Sequence, residues 1–280
     1  MASLEPIHRI TGAGGLRLAV HEYGQPAGKP IVLIHGINQC SLVWEQQYRS
    51  VLAEEFRLVC PDLRGHGMSD KPTDPEYYNQ ATLWADDVQA VLKALSLRKP
   101  ILAGWSYGGY VINDYLAKYG QDAIGGLNYV CAGVVMGGAN TTQLLGRDFI
   151  NTIPGLCSDN LEDNIQAVRK LIRVLFERQP SQEEIEIQVA YSMVVPPTAR
   201  LGMFSRTIDC DAVMKKLTIP VLITRGEKDR VVTLAHTELL LAAIPLAKIS
   251  VFEGAGHSPH LEDAERFNRE LGQFARQYAG

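Results

Sequence analysis

The chain has 280 residues, 46% of them hydrophobic and 21% charged, with a formal net charge of −4 at pH 7. That composition excludes a disordered chain, a collagen and a coiled coil. The acidic balance, and the lack of a Lys/Arg cluster interleaved with aromatics, argue against nucleic acid and anionic membrane surfaces as partners.

A chain of this length buries roughly 75% of its unfolded surface and needs no disulfide or metal to hold a core. Its cysteines are Cys40, Cys60, Cys131, Cys157 and Cys210. An odd set without paired spacings reads as small buried side chains in a reducing compartment, so a cytoplasmic location is expected. The start, MASLEPIHRI, shows no basic segment followed by an apolar run, so no secretory leader is expected. The longest apolar stretch, near 129–139, is shorter than the ~20 residues of a spanning helix.

In chain order, 7–11 and 16–23 read as two strands joined by a turn at Gly12, Gly14 and Gly15. Apolar runs follow at 31–35, 57–61, 101–105 and 127–132, rich in Val, Ile and Leu as strands buried on both faces are. Between them, 81–95 carries Leu83, Trp84, Val88, Val91, Leu92 and Leu95 at helical spacing, and 107–119 reads as a helix. No clear strand lies between Ala132 and Pro220. Instead Asp159 and Glu162 look like a capping box ahead of Leu161, Ile165, Val168, Ile172 and Leu175. Ser181 and Glu184 repeat that signal before 185–195, which Pro196 and Pro197 end, and Asp209 is placed to cap a short helix through Leu217. Strands resume at 220–225 and 248–252, with helices at 233–244 and 263–278. Alternating strands and helices predict a doubly wound, mostly parallel sheet of about eight strands with helices on both faces. The core spans 1–138 and 218–280, and 139–217 is an inserted helical cap.

Chemistry concentrates at Gly104-Trp105-Ser106-Tyr107-Gly108, a G-x-S-x-G on a strand-to-helix turn. Small residues two before and two after the serine let the turn close, and the following helix points its N-terminal amides at a developing oxyanion. A serine hydroxyl needs a base. His257, in the loop after the last strand, lies at the edge where Ser106 sits. His35 is read as a loop brace, His66 as part of a glycine turn, and His8, His21, His236 and His260 as surface or strand residues. Asp229, after 220–225, is the carboxylate to hold His257, with Glu227 its local competitor. The order Ser106, Asp229, His257 is that of α/β-hydrolases. The N–H groups of Tyr107 and Ile37 are the expected oxyanion donors.

The chain resembles the α/β-hydrolase family in its cap-bearing branch. HGIN at 35–38, DLRGHGMSD at 62–70, GWSYGG at 104–109, RGEKD at 225–229 and GAGHSPHLE at 254–262 carry the resemblance. It implies triad roles for Ser106, Asp229 and His257, and a loop-bracing role for Asp62 and Arg64. It also separates the chain from the haloalkane dehalogenases and epoxide hydrolases of that family, which use aspartate at the elbow. No His-Glu-x-x-His, Cys/His cluster or phosphate loop is present, so no metal and no cofactor are expected. The expected reaction is hydrolysis of a small-molecule carboxylic ester or lactone. The same triad admits a cofactor-free perhydrolase or haloperoxidase, a carbon–carbon bond hydrolase, a thioesterase, or a ligand receptor. Candidate pocket residues are Asn38, Trp44, Phe149, Met193 and Met203. The sequence carries no signal of oligomeric state.

Overall fold

The computed structural model describes residues 8–138 and 141–280. Ile7 of the first expected strand, and Ala139 and Asn140 at the start of the expected cap, lie outside the described residues. Eight strands form one sheet: β1 (His8–Thr11), β2 (Arg17–Gly24), β3 (Pro30–Ile34), β4 (Arg57–Pro61), β5 (Ile101–Trp105), β6 (Gly126–Val130), β9 (Val221–Gly226) and β10 (Lys248–Phe252). Their order is β1-β2-β4-β3-β5-β6-β9-β10. The β1–β2 and β2–β4 pairs are antiparallel; every pair from β4–β3 to β9–β10 is parallel. β7 (Val135–Met136) and β8 (Ile208–Asp209) make a separate two-stranded ribbon.

The central strands are buried on both faces because alternate side chains enter different cores. In β3, Val32 and Ile34 join one apolar cluster and Ile31 and Leu33 the other. The longer helices are α1 (Ala81–Ala94), α2 (Gly108–Tyr119), α3 (Leu161–Val174), α4 (Gln182–Met193), α5 (Pro197–Phe204), α6 (Leu234–Ala243) and α7 (Ala264–Tyr278). No helix among the described residues is long and apolar enough to cross a membrane. The five cysteines are unpaired.

The elements between β6 and β9, two adjacent strands, are helical apart from the small ribbon, so this segment is an insertion in the sheet's connectivity. Its start signals are shifted in detail. Asn160, not Asp159, caps α3, its Oδ1 accepting the N–H groups of Glu162 and Asp163 at 3.0 and 3.1 Å. Leu161 is therefore the first residue of the helix and lies exposed, while Val168, Leu171 and Ile172 are buried. Ser181 and Glu184 form the full reciprocal box of α4. The proline pair closes one helix and opens another: Pro197 is the first residue of α5, where its missing N–H costs nothing. Asp209 accepts the Asp211 N–H at 3.0 Å, but the helix it starts is a single turn, Asp211–Met214.

Candidate active site

The parallel strands bring six loops to one sheet edge: those after β3, β4, β5, β6, β9 and β10. Ser106 follows β5 directly and has φ 55°, a left-handed backbone that costs a serine energy and persists because its surroundings fix it. Its N–H donates to the Val130 carbonyl at 3.0 Å, and its carbonyl accepts from Gly109 and Gly133. The flanking glycines are steric necessities. A Cβ on Gly104 would lie 2.7 Å from the Gly108 carbonyl oxygen, and one on Gly108 would lie 2.5 Å from that of Ile34. The loop after β3 packs on the serine: a Cβ on Gly36 would sit 3.0 Å from the Ser106 Cβ. Ser106 keeps partial exposure whereas its strand is buried.

The loops after β9 and β10 place Asp229 and His257 side by side. The His257 Nδ1 lies 2.9 Å from Asp229 Oδ2 and 3.0 Å from Oδ1. Asp229 Oδ1 also accepts the N–H groups of Val231 and Val232, at 2.8 and 3.0 Å, so the carboxylate is fixed by its own turn. A carboxylate only accepts, so Nδ1 carries the imidazole proton and Nε2 presents its lone pair. That Nε2 is buried with no hydrogen-bond partner among the described residues, so the Ser106 hydroxyl is not bonded to it here. Such bonds tighten when substrate arrives. The Trp105 indole N–H donates to the His257 carbonyl at 2.8 Å and ties the histidine loop to the nucleophile's strand.

Cys131, just past β6, has its Sγ within 4.8 Å of the Asp229 and His257 ligand atoms. It accepts the Gly226 N–H at 3.3 Å. Burial, then the Asp229 charge, push its thiol far above the usual range, so it stays protonated. These three side chains have the chemistry of metal ligands, but the Asp229–His257 approach is that of a hydrogen bond.

The remaining histidines fall into place. His35 braces its loop, its Nε2 accepting the Leu63 N–H at 3.0 Å. Burial pushes His66 down to about 3 and His236 down to about 4. Burial, with His257 next to it, pushes His260 well below the usual range. His236 and His260 were expected on the surface or in strands, and both are buried in helices; His21 is a buried strand residue. Glu227 is exposed and accepts the Gly254 N–H at 2.9 Å, away from the His257 ring, so Asp229 is the carboxylate partner. Asp62 accepts the N–H groups of Ser41 and Met68 at 2.7 and 2.8 Å, and Arg64 pairs with Asp87 at 2.7 Å, so both brace loops.

Neither the Ile37 nor the Tyr107 N–H donates a hydrogen bond among the described residues, which leaves both free for an oxyanion. The expected pocket residues behave differently. Asn38, Trp44 and Met203 have no accessible surface, so none lines a cavity. Trp44 is core, its ring 4.7 Å from that of His260 and 6.4 Å from that of Phe267. Phe149 is buried against Phe204, 6.1 Å between rings. Met193 is half-buried and packs on the same core. An apolar residue spaced to face a neighbouring layer is a core residue first.

Two grooves of about 430 and 720 Å³ share Gln166 and Arg173; the first is lined by the insertion, the second by the insertion and Arg230 of the loop after β9, and neither is lined by Ser106, Asp229 or His257. Two buried arginines of the insertion, Arg200 and Arg206, reach the loop after β3 and the elbow. Neither stands out in the sequence as a site residue. Arg200 had one signal, a charged residue placed in an apolar helical run, TARLGMF; Arg206, two residues past that run, had none.

The α/β hydrolase family pattern matches residues 31–270. The esterase RhEst1 of Rhodococcus sp. ECU1013 superposes with a TM-score of 0.91 at 33% identity, over 97% of this chain and 99% of that one. The AB hydrolase superfamily protein YisY of Bacillus subtilis is 27% identical over 96% of this chain and 98% of its own. The 2-hydroxymuconate semialdehyde hydrolase of Pseudomonas sp. is 26% identical over 94% of this chain and 91% of its own. With the strand order, the elbow and the match along most of its length, this chain belongs to the α/β-hydrolase family.

Proposed function

We propose that the protein is a serine hydrolase that cleaves a small carboxylic ester or lactone through an acyl-enzyme on Ser106, with the helical insertion 139–217 as a cap over the site. The observation that carries this reading is the His257–Asp229 hydrogen bond at 2.9 Å, on the sheet edge where the Ser106 elbow ends β5. The Ser106 oxygen attacks the carbonyl carbon as His257 Nε2 takes its proton. Asp229 keeps the imidazole oriented and stabilises its positive form. The N–H groups of Ile37 and Tyr107 receive the oxyanion. Collapse expels the alcohol, protonated by His257, and water repeats the sequence to release the acid.

The ester preference rests on the likeness to the Rhodococcus esterase. Hydrolysis of a carbon–carbon bond on the same triad is the second reading, favoured by the likeness to the semialdehyde hydrolase. A steady-state screen of p-nitrophenyl esters of graded acyl length, lactones, peracid formation and a vinylogous diketone separates them. Ester or lactone turnover above the others is expected. Full turnover in Ser106→Ala would sink the nucleophile assignment under either reading.

A further inference from the structure

The two amides offered to the oxyanion lie far apart in sequence, at Ile37 and Tyr107. A single stretch of the insertion, α5 and the residues just after it, sends one buried arginine to each. Arg200, on α5, has no accessible surface. Its Nε donates to Asn38 Oδ1 at 2.6 Å, its Nη1 to the Leu156 carbonyl and Asn164 Oδ1 at 2.9 Å each, and its Nη2 to the Ser192 carbonyl at 2.7 Å. All four acceptors are neutral. Among the described residues no carboxylate pairs with it, and a buried cation so placed is costly, so its retention asks for a reason beyond packing.

The reason lies in Asn38, the residue after Ile37. It sits in the left-handed region at φ 61°. Its N–H donates to His66 Nε2 at 3.2 Å, its carbonyl accepts from the Ser192 hydroxyl at 2.8 Å, and its side chain accepts from Arg200. Two of these three restraints come from the insertion, and together they fix the peptide whose neighbour offers the Ile37 N–H.

Arg206 does the same at the elbow. It is 4% exposed. Its Nη1 donates to the Tyr107 hydroxyl at 2.8 Å, and its Nη2 to both oxygens of Asp114 at 2.7 and 2.6 Å. Its guanidinium carbon lies 5.8 Å from the ring centres of both Trp84 and Tyr107. The Tyr107 side chain is held at its tip and on its face, and the Tyr107 N–H is the second oxyanion donor.

We propose that Arg200 and Arg206 are positioning residues of the oxyanion hole, so that docking of the insertion and assembly of the hole are one event. The inference rests on the serine-hydrolase reading, and it adds that the hole's geometry is borrowed from the insertion. A misplaced donor loses transition-state stabilisation and leaves ground-state binding largely intact.

The test measures kcat, KM and inhibition by a trifluoromethyl ketone, whose hydrated adduct on the serine carries the oxyanion, in Arg200→Met, Arg200→Lys, Arg206→Met and Tyr107→Phe. Tyr107→Phe removes only the hydroxyl that Arg206 holds and remains informative where Arg206→Met fails to fold. Arg200→Met is expected to lose about 10- to 100-fold in kcat with KM changed less than about threefold, and to weaken the ketone by the same factor. Arg200→Lys recovers part of that loss, and Tyr107→Phe loses several-fold. Folded variants with unchanged kcat, or with losses in KM alone, overturn the proposal. So does a kcat loss unaccompanied by weaker ketone inhibition. Ser106→Ala and fluorophosphonate labelling of Ser106, run alongside, report on the serine reading itself: activity or labelling in Ser106→Ala breaks that reading, whereas a dead Ser106→Ala with fully active arginine variants breaks only this one.

Discussion

The sheet and the helical insertion are held by different forces. Within the sheet, parallel strands pair through their backbones and bury Val, Ile and Leu on both faces, in two cores that the strands themselves separate. The insertion also buries apolar side chains, but it meets each catalytic loop through polar groups. Arg200 holds the loop after β3 and Arg206 holds the elbow. Glu262 accepts the Gly256 N–H of the histidine loop and the Glu177 and Arg178 N–H groups of the insertion, at 2.8, 3.0 and 2.9 Å. Arg230, beside Asp229, donates to the Phe176 carbonyl at 3.2 Å. Non-directional burial tolerates small slips, and directional bonds to buried groups do not. The insertion's contacts to the catalytic loops are therefore the ones that constrain position most closely.

The largest expected effect breaks chemistry and spares both regions. Ser106→Ala should lower kcat by about 10⁴-fold or more, with the thermal midpoint nearly unchanged. The substitution removes one hydroxyl oxygen from a partly exposed residue and keeps the Cβ against which Gly36 packs, so little packing is released. Steady-state kinetics with a p-nitrophenyl ester, next to a thermal melt, checks both halves of that statement.

The two arginines sharpen the comparison. Arg206→Met strands the Asp114 carboxylate in a buried site and should cost about 3–5 kcal/mol of unfolding free energy. Arg200→Met leaves four neutral acceptors but also removes an uncompensated cation, so its cost should be smaller. Urea unfolding of the two variants orders them, and the reverse order would mean that Arg200 has a counter-charge after all.

Acid exposes the same pair. Burial pushes the Asp114 carboxyl up to about 6, and the Arg206 guanidinium pulls it back only in part. Burial alone would lower Arg206, but Tyr107 and Asp114 reverse that and raise it. The two partners thus point opposite ways on the worth of the pair. The carboxyl is the better guide to pH, because it titrates in the working range and the guanidinium does not. A folded value above the unfolded value, near 4, means that the native state holds this proton more tightly. The contribution is fully present below about pH 4 and lost as pH rises through about 6. The stability of the native protein relative to Asp114→Asn should therefore decline between pH 4 and 7. Thermal midpoints of both proteins across that range test the sign.

Much of this was legible in the sequence, for physical reasons. A buried parallel strand needs a continuous apolar run, so 31–35, 57–61 and 101–105 could be read directly and lie within a residue or so of β3, β4 and β5. The elbow was legible because a turn that tight admits few residues at Gly104 and Gly108. The Asp229–His257 pair followed from strand ends that the topology gathers on one edge. Long-range side-chain choices were not legible. Arg200 reaches Asn38 and Arg206 reaches Asp114 across 162 and 92 positions, and no local pattern announces such a partner. Burial was not legible either: Trp44 and Met203, which have no accessible surface, look the same in a sequence whether they line a cavity or fill a core. The short ribbon of Val135–Met136 with Ile208–Asp209 has too few residues to show any alternation.

The smallest expected effect asks whether the two regions unfold together. Ser181 caps α4, its hydroxyl accepting the Glu184 N–H at 3.3 Å while the Glu184 carboxylate accepts the Ser181 N–H at 2.8 Å. Ser181→Ala should cost about 1 kcal/mol. In one cooperative unit of this size, that lowers the melting midpoint by about 2–4 °C, and ester turnover at low temperature stays the same. If instead the insertion opens on its own, the midpoint of the sheet stays put and the loss appears as faster proteolysis near 175–185. It would then appear also in kcat, in the same direction as Arg200→Met, because an insertion that opens takes with it the restraints on Asn38 and Tyr107. The polar ties favour the first outcome: an opened insertion leaves Asp114 and the acceptors of Arg200 without their partners, a larger penalty than one helix cap.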